Sequence, residues 1–187
     1  MIVFDLLKTF VFLVSGLLLY PVLILLFLAT VYMVWALGRF LGEAMERAKA
    51  GGFDPAQDDP ATFAFSGAVR RYRDLLLKMD RTDEAAVMYR MREAMAERQK
   101  SLDLFRLMIR IAPALGLLGT LIPMGSALAG VGQGEMQLAS SELVVAFTTT
   151  VVGLAVGSIA YVLHAVKSRW VTRDIRQIEF ITEKLCR

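Results

Sequence analysis

Residues 10–37 run for 28 positions without a charged side chain. Two further stretches, 111–131 and 143–166, contain no Asp, Glu, Lys or Arg. A membrane helix needs about 20 predominantly apolar residues, so each stretch is long enough to span. In hydrocarbon every backbone amide and carbonyl must be paired internally, which leaves helices or closed barrels. Strand-like alternation is missing from all three runs. The expected fold is therefore all-α: a polytopic membrane protein with three transmembrane helices. Hydrophobic residues make up 56% of the chain, in keeping with that reading.

Charge sets the expected orientation. Of 21 Lys and Arg, 14 lie within 39–110, six within 167–187, and only Lys8 precedes the first run. Segment 132–142 has none. The positive-inside rule puts the N-terminus outside and 39–110 in the cytoplasm. The expected organisation is an outer segment 1–9, a first span 10–37, and a cytoplasmic helical domain 38–110. A second span 111–131, an outer loop 132–142, a third span 143–166 and a cytoplasmic helix 167–187 follow. This places the chain in the cell inner membrane with its C-terminus in the cytoplasm. The first run is too long for a signal-peptide core and reads as an uncleaved anchor. The basic excess reads as topology rather than nucleic-acid binding. A lone Cys186 offers no internal disulfide and no metal cluster.

The first run would extend about 42 Å as a helix, against a hydrocarbon core of about 30 Å. Tilt absorbs the excess, or a kink at Pro21 does. The helix continues to about Ala50, with Glu43 and Arg47 as an i,i+4 pair. Gly51-Gly52, Asp54-Pro55 and Asp59-Pro60 then mark a loop. Two cytoplasmic helices follow. Phe65, Val69, Tyr72, Leu76 and Met79 form one narrow apolar stripe. Met88, Met91, Met95, Leu102 and Phe105 form another, with Arg98 interrupting it. Asp80-Arg81-Thr82 reads as the turn between them, and Asp83-Glu84 as a helix start. No strong breaker precedes Pro113, so a single helix of about 45 residues is expected to join cytoplasm and membrane. Trp170, Ile175, Ile178, Ile181 and Leu185 give the tail a helical pattern. The long helices are thus expected to extend into a cytoplasmic bundle.

Enzyme signatures are missing: there is no glycine loop followed by Lys, no Cys/His ligand set, and a single His. The chain reads as no enzyme, with no catalytic residue, no metal and no cofactor. The small residues of the second and third spans stand out instead, Gly116 and Gly119 on one and Gly153 and Gly157 on the other. They allow close helix approach, as packing or as the lining of a pore. Thr120, Thr149 and Thr150 lie at mid-span and are the candidate ion-path residues. A membrane threonine commonly bonds its own helix carbonyl. Thr120 and Thr150 differ in depth by only about 6 Å on helices of opposite direction, which suits a polar ion path. Pro113 is a candidate kink. Glu142 reads either as an N-terminal cap or as a charge at the outer mouth. Arg106 and Arg110 snorkel at the inner interface or line a vestibule. His164 is an interfacial anchor or a proton relay. A proton path normally needs an ionisable group at depth. The spans supply none, so the carboxylate is expected from another chain.

The segments APALGLLGTLIPMG (112–125) and VVAFTTTVVGLAVG (144–157) resemble the two paired motifs of the MotA/TolQ/ExbB family. These are the larger subunits of ion-driven motors in bacterial and archaeal membranes. Three spans with the N-terminus outside resemble the ExbB/TolQ branch, whereas flagellar MotA has four. The resemblance implies a homo-pentamer around two single-span partners of ExbD/TolR/MotB type, each carrying a membrane aspartate. It also implies a pore lined by the second and third spans, with Thr120 and Thr150 at the matching positions. The import-energising branch often has an acidic residue nearer the third-span threonine. Here Val145 and Ala146 stand there, and Glu142 lies further out. Three other readings remain open: a non-conducting membrane scaffold, a MotA-like flagellar stator component, and a channel that works without a partner.

Overall fold

The computed structural model describes residues 2–50, 63, 65–79 and 83–186. The described elements are α1 (Ile2–Ala50), α2 (Gly67–Lys78), α3 (Glu84–Lys100), α4 (Asp103–Gln133) and α5 (Met136–Cys186). Among the described residues the fold is all-α, and three helices are long and apolar enough to cross a membrane. The loop expected at 51–60 and the turn at 80–82 lie outside the described residues, as does the Cys186 side chain.

The chain divides into two compact units, Met1–Ala36 with Arg106–Val162, and Leu37–Phe105 with Leu163–Arg187. In the first unit α1 buries one narrow stripe, Val22, Leu26, Ala29, Met33 and Ala36, spaced 4, 3, 4 and 3. That spacing is one face of a helix. Val22 and Leu26 pack with Leu115 of α4 and Val152 of α5. The outward faces stay apolar: Leu17, Phe27 and Val34 of α1, Leu121 and Leu128 of α4, and Phe147 and Val151 of α5 are all exposed. Apolar surface on this scale suits lipid or other protein rather than water. α1 continues as one helix through Pro21.

Between α4 and α5 the chain turns in two residues, so most of the segment expected as an outer loop is helical. Gly134 takes φ +81°. Its amide bonds the Val131 carbonyl (3.1 Å), and the Glu135 amide bonds the Gly130 carbonyl (2.8 Å). These two bonds form a Schellman cap, and its left-handed residue is glycine because a side chain there strains the backbone.

The second unit has a mainly apolar core: Phe65, Val69, Tyr72 and Leu76 pack with Val87, Ile178 and Ile181. The Tyr72 hydroxyl shares a 2.6 Å hydrogen bond with Thr182. Asp83 caps α3, accepting from the amides of Ala85 and Ala86 at 3.1 Å each. Two stripes shift relative to their expected register. Val87 rather than Met88 faces inward at the start of α3, and Met88 is exposed. On the tail the buried positions are Val171, Asp174, Ile178, Ile181 and Thr182, and Ile175 is only half-buried. Hydropathy had selected the isoleucine where packing selects the aspartate.

The expected 45-residue helix is interrupted at Ser101-Leu102. The Ser101 hydroxyl bonds the Arg98 carbonyl (2.6 Å), and the Leu102 amide bonds Gln99 (3.0 Å). A serine folding back on its own backbone competes with the regular helical ladder.

Candidate functional site

α4 and α5 run antiparallel in the first unit, because going along α4 the facing residues on α5 go backwards. Pro113 meets Gly157, Gly116 meets Gly153, and Gly119 meets Thr149. Glycine makes this approach possible. A methyl group on Gly153 would lie 2.7 Å from the Ala112 carbonyl oxygen and 2.8 Å from the Gly116 Cα. One on Gly116 would lie 3.0 Å from the Thr149 carbonyl oxygen and 3.4 Å from the Thr150 Cα. Here backbone packs on backbone, the arrangement small residues permit between membrane helices. At Gly157 the space is taken by the Pro113 ring, 2.7 Å from where a Cβ would stand. Gly116, Gly119, Gly153 and Gly157 are all buried in this seam.

Three consecutive threonines of α5 face different surroundings, since neighbours on a helix point about 100° apart. Thr148 is exposed and donates to its own Val144 carbonyl (2.7 Å). Thr149 is buried and donates to Ala146 (2.8 Å). Thr150 is half-buried, and its hydroxyl reaches across the seam to the Gly116 carbonyl at 3.4 Å. That carbonyl is also the α-helical acceptor for the Thr120 amide. One peptide group therefore links Thr120 and Thr150. The Thr120 hydroxyl itself donates to Leu117 (2.7 Å). Pro123 is fully buried and has no amide hydrogen to offer the Gly119 carbonyl.

The other sequence candidates fall elsewhere. Glu142 lies more than one turn inside α5, so it does not cap that helix. It is half-buried, whereas Arg106 and Arg110 are exposed. His164 is half-buried in the second unit.

That second unit holds a charged cluster that the sequence did not reveal. Asp174 is fully buried. Arg47 grips both its carboxylate oxygens, at 2.9 and 2.7 Å, Arg98 donates at 2.6 Å, and Ser66 adds its hydroxyl at 3.2 Å. Glu43 touches Arg47 (3.0 Å), Arg98 (3.4 Å) and Lys167 (3.5 Å). Trp170 stacks on Phe40 at 4.8 Å and lies under the Arg47 guanidinium at 5.0 Å. Burial works to raise the Glu43 pKa, but Lys167, Arg47 and Arg98 outweigh it and hold the carboxyl below its ordinary 4.5. The detectable sequence signal was a charge at each stripe position that should have been apolar, Arg98 on α3 and Asp174 on α5.

Compared with protein-family models, residues 58–180 match the MotA/TolQ/ExbB proton channel family. The match includes both glycine–threonine segments and most of the second unit. No curated protein and no solved structure matches the chain.

Proposed function

The chain belongs to the MotA/TolQ/ExbB proton channel family, and we propose that it is the larger subunit of an ion-driven motor. In this reading protons pass Thr120 and Thr150 and their flow drives force on a single-span partner. The chain is a multi-pass membrane protein of a channel-forming family. Orientation in the inner membrane with the N-terminus outside, five copies to a ring, and an ExbD/TolR-like partner are the finer parts of the proposal.

One observation carries it. The α4–α5 seam presents paired threonines, one carbonyl shared between them and another without its helical amide, yet segments 111–131 and 143–163 contain no ionisable carboxylate, amine, guanidinium or imidazole. Hydroxyls and carbonyls can hold water or pass a proton along hydrogen bonds, but they do not take one up at neutral pH. A proton path built on this seam is half a site. The missing half is a carboxylate on another chain, as the family's aspartate-bearing partners would provide. Each charge crossing 100 mV releases about 2.3 kcal/mol, sufficient to bias a step between discrete helix arrangements.

The test is proton flux in liposomes containing this chain and its co-purified single-span partner. Thr120→Val and Thr150→Val keep shape and remove the hydroxyl. Each is expected to abolish partner-dependent flux while native mass spectrometry still shows a pentamer. Full flux in both variants, or a stable monomer in mild detergent, would refute the proposal.

A further inference from the structure

We infer that Gly119 and Thr149 are positioning residues for the Thr150 hydroxyl, acting as hole and knob. The inference rests on the reading of Thr150 as part of the ion path. A Cβ built on Gly119 would lie 2.8 Å from the Thr149 Cβ, 2.8 Å from its Oγ1 and 3.2 Å from its Cγ2. The Thr149 Cβ is attached directly to the α5 backbone, so no rotamer change removes that clash. A side chain at 119 forces α5 to rotate or to move away. Thr150 is the next residue on α5 and moves with it. Its bond to the Gly116 carbonyl is already 3.4 Å long, so a shift of a few tenths of an ångström breaks it.

The Thr149 hydroxyl is satisfied within its own helix at Ala146, and the side chain is buried. Its contribution is shape. A β-branched side chain has one strongly preferred rotamer in a helix, or two for threonine, which makes it a stiff knob. The Pro113 ring seated on Gly157 is a second knob one helical turn beyond the Gly116–Gly153 contact. The two knobs bracket that contact and fix both the separation and the rotation of α5 where Thr150 meets Gly116. The triple threonine run therefore divides its work: Thr149 packs and Thr150 presents its hydroxyl.

Reconstituted flux with the partner tests this through four variants. Thr149→Val preserves the knob and removes the hydroxyl. It is expected to keep wild-type flux and pH profile, whereas Thr150→Val loses flux. Gly119→Ala is expected to assemble yet lose about tenfold or more in flux, the equivalent of one well-placed hydrogen bond. Adding Thr149→Gly to Gly119→Ala empties the opposing position and is expected to restore most of it. Loss of flux in Thr149→Val overturns the assignment, because Thr149 would then belong to the path. Full flux in Gly119→Ala, or no recovery in the double variant, overturns it as well. If Gly119→Ala fails to assemble, the Thr149→Val result decides alone. Full flux in Thr150→Val refutes the path reading and the positioning role with it. Loss there combined with full flux in Gly119→Ala refutes the positioning role only.

Discussion

Asp174→Asn is the most informative single change in the second unit. It keeps the volume and removes the charge that two guanidiniums share. Arg47 and Arg98 have side chains only 14% and 15% exposed, and Asp174 has 0%. Removing one member of a buried ion cluster typically costs about 3–5 kcal/mol, because the partners are left desolvated and uncompensated. Glu43 still faces both arginines, at 3.0 and 3.4 Å, so the lower end applies, about 3 kcal/mol. For a chain of this size each kcal/mol shifts the melting midpoint by about 2–4 °C, giving a drop of roughly 6–12 °C. The assay is thermal unfolding in mild detergent, followed by circular dichroism and by tryptophan fluorescence, since Trp170 lies against Arg47. The control is the triple change Arg47→Met, Arg98→Met, Asp174→Leu. Replacing a buried ion triad by apolar residues is often neutral or stabilising, and Glu43 keeps Lys167 at 3.5 Å as its partner. A shift under about 2 °C for Asp174→Asn, or a triple variant as unstable as the single one, would refute the reasoning.

Three further outcomes are expected. Gly153→Ala drives a methyl group into the Ala112 carbonyl and the Gly116 Cα, so it should cost about 1–3 kcal/mol and abolish flux, measured by melting and in liposomes. Gly134→Ala should cost about 1–2 kcal/mol through its positive φ alone, because a Cβ there meets nothing within 4 Å. Glu43 has a folded pKa below its ordinary 4.5, so its stabilising effect is present above the unfolded value and lost as pH falls through the folded one. The wild-type melting midpoint should therefore fall below about pH 4.5, and more steeply than in Glu43→Gln, whose midpoint is already lower at neutral pH.

The long elements were legible because membrane helices are written in continuous runs. The three uncharged stretches, the Asp83 cap and the Phe65–Leu76 stripe follow from composition and short-range periodicity. The ends of α4 and α5 were less legible. Glycine and glutamate at 134–135 make a turn so tight that 132–142 is almost all helix, and Glu142 loses the cap role its place after two serines suggested. The break at Ser101-Leu102 was hidden because neither residue is a strong helix breaker. It depends on a serine hydroxyl bonding its own chain.

The three apolar spans, the all-α class, the family and the choice of the threonines as candidates came from the sequence alone. Each depends on hydropathy or on residues close together in the chain. The tertiary structure decided which threonine packs and which reaches across the seam, since a 100° step per residue separates neighbours that look alike in sequence. It also decided that Arg98, Arg47 and Glu43 gather with the buried Asp174 in one ion cluster. Those residues are distant along the chain, and a charge on an apolar stripe declares its partner only after the helices have packed.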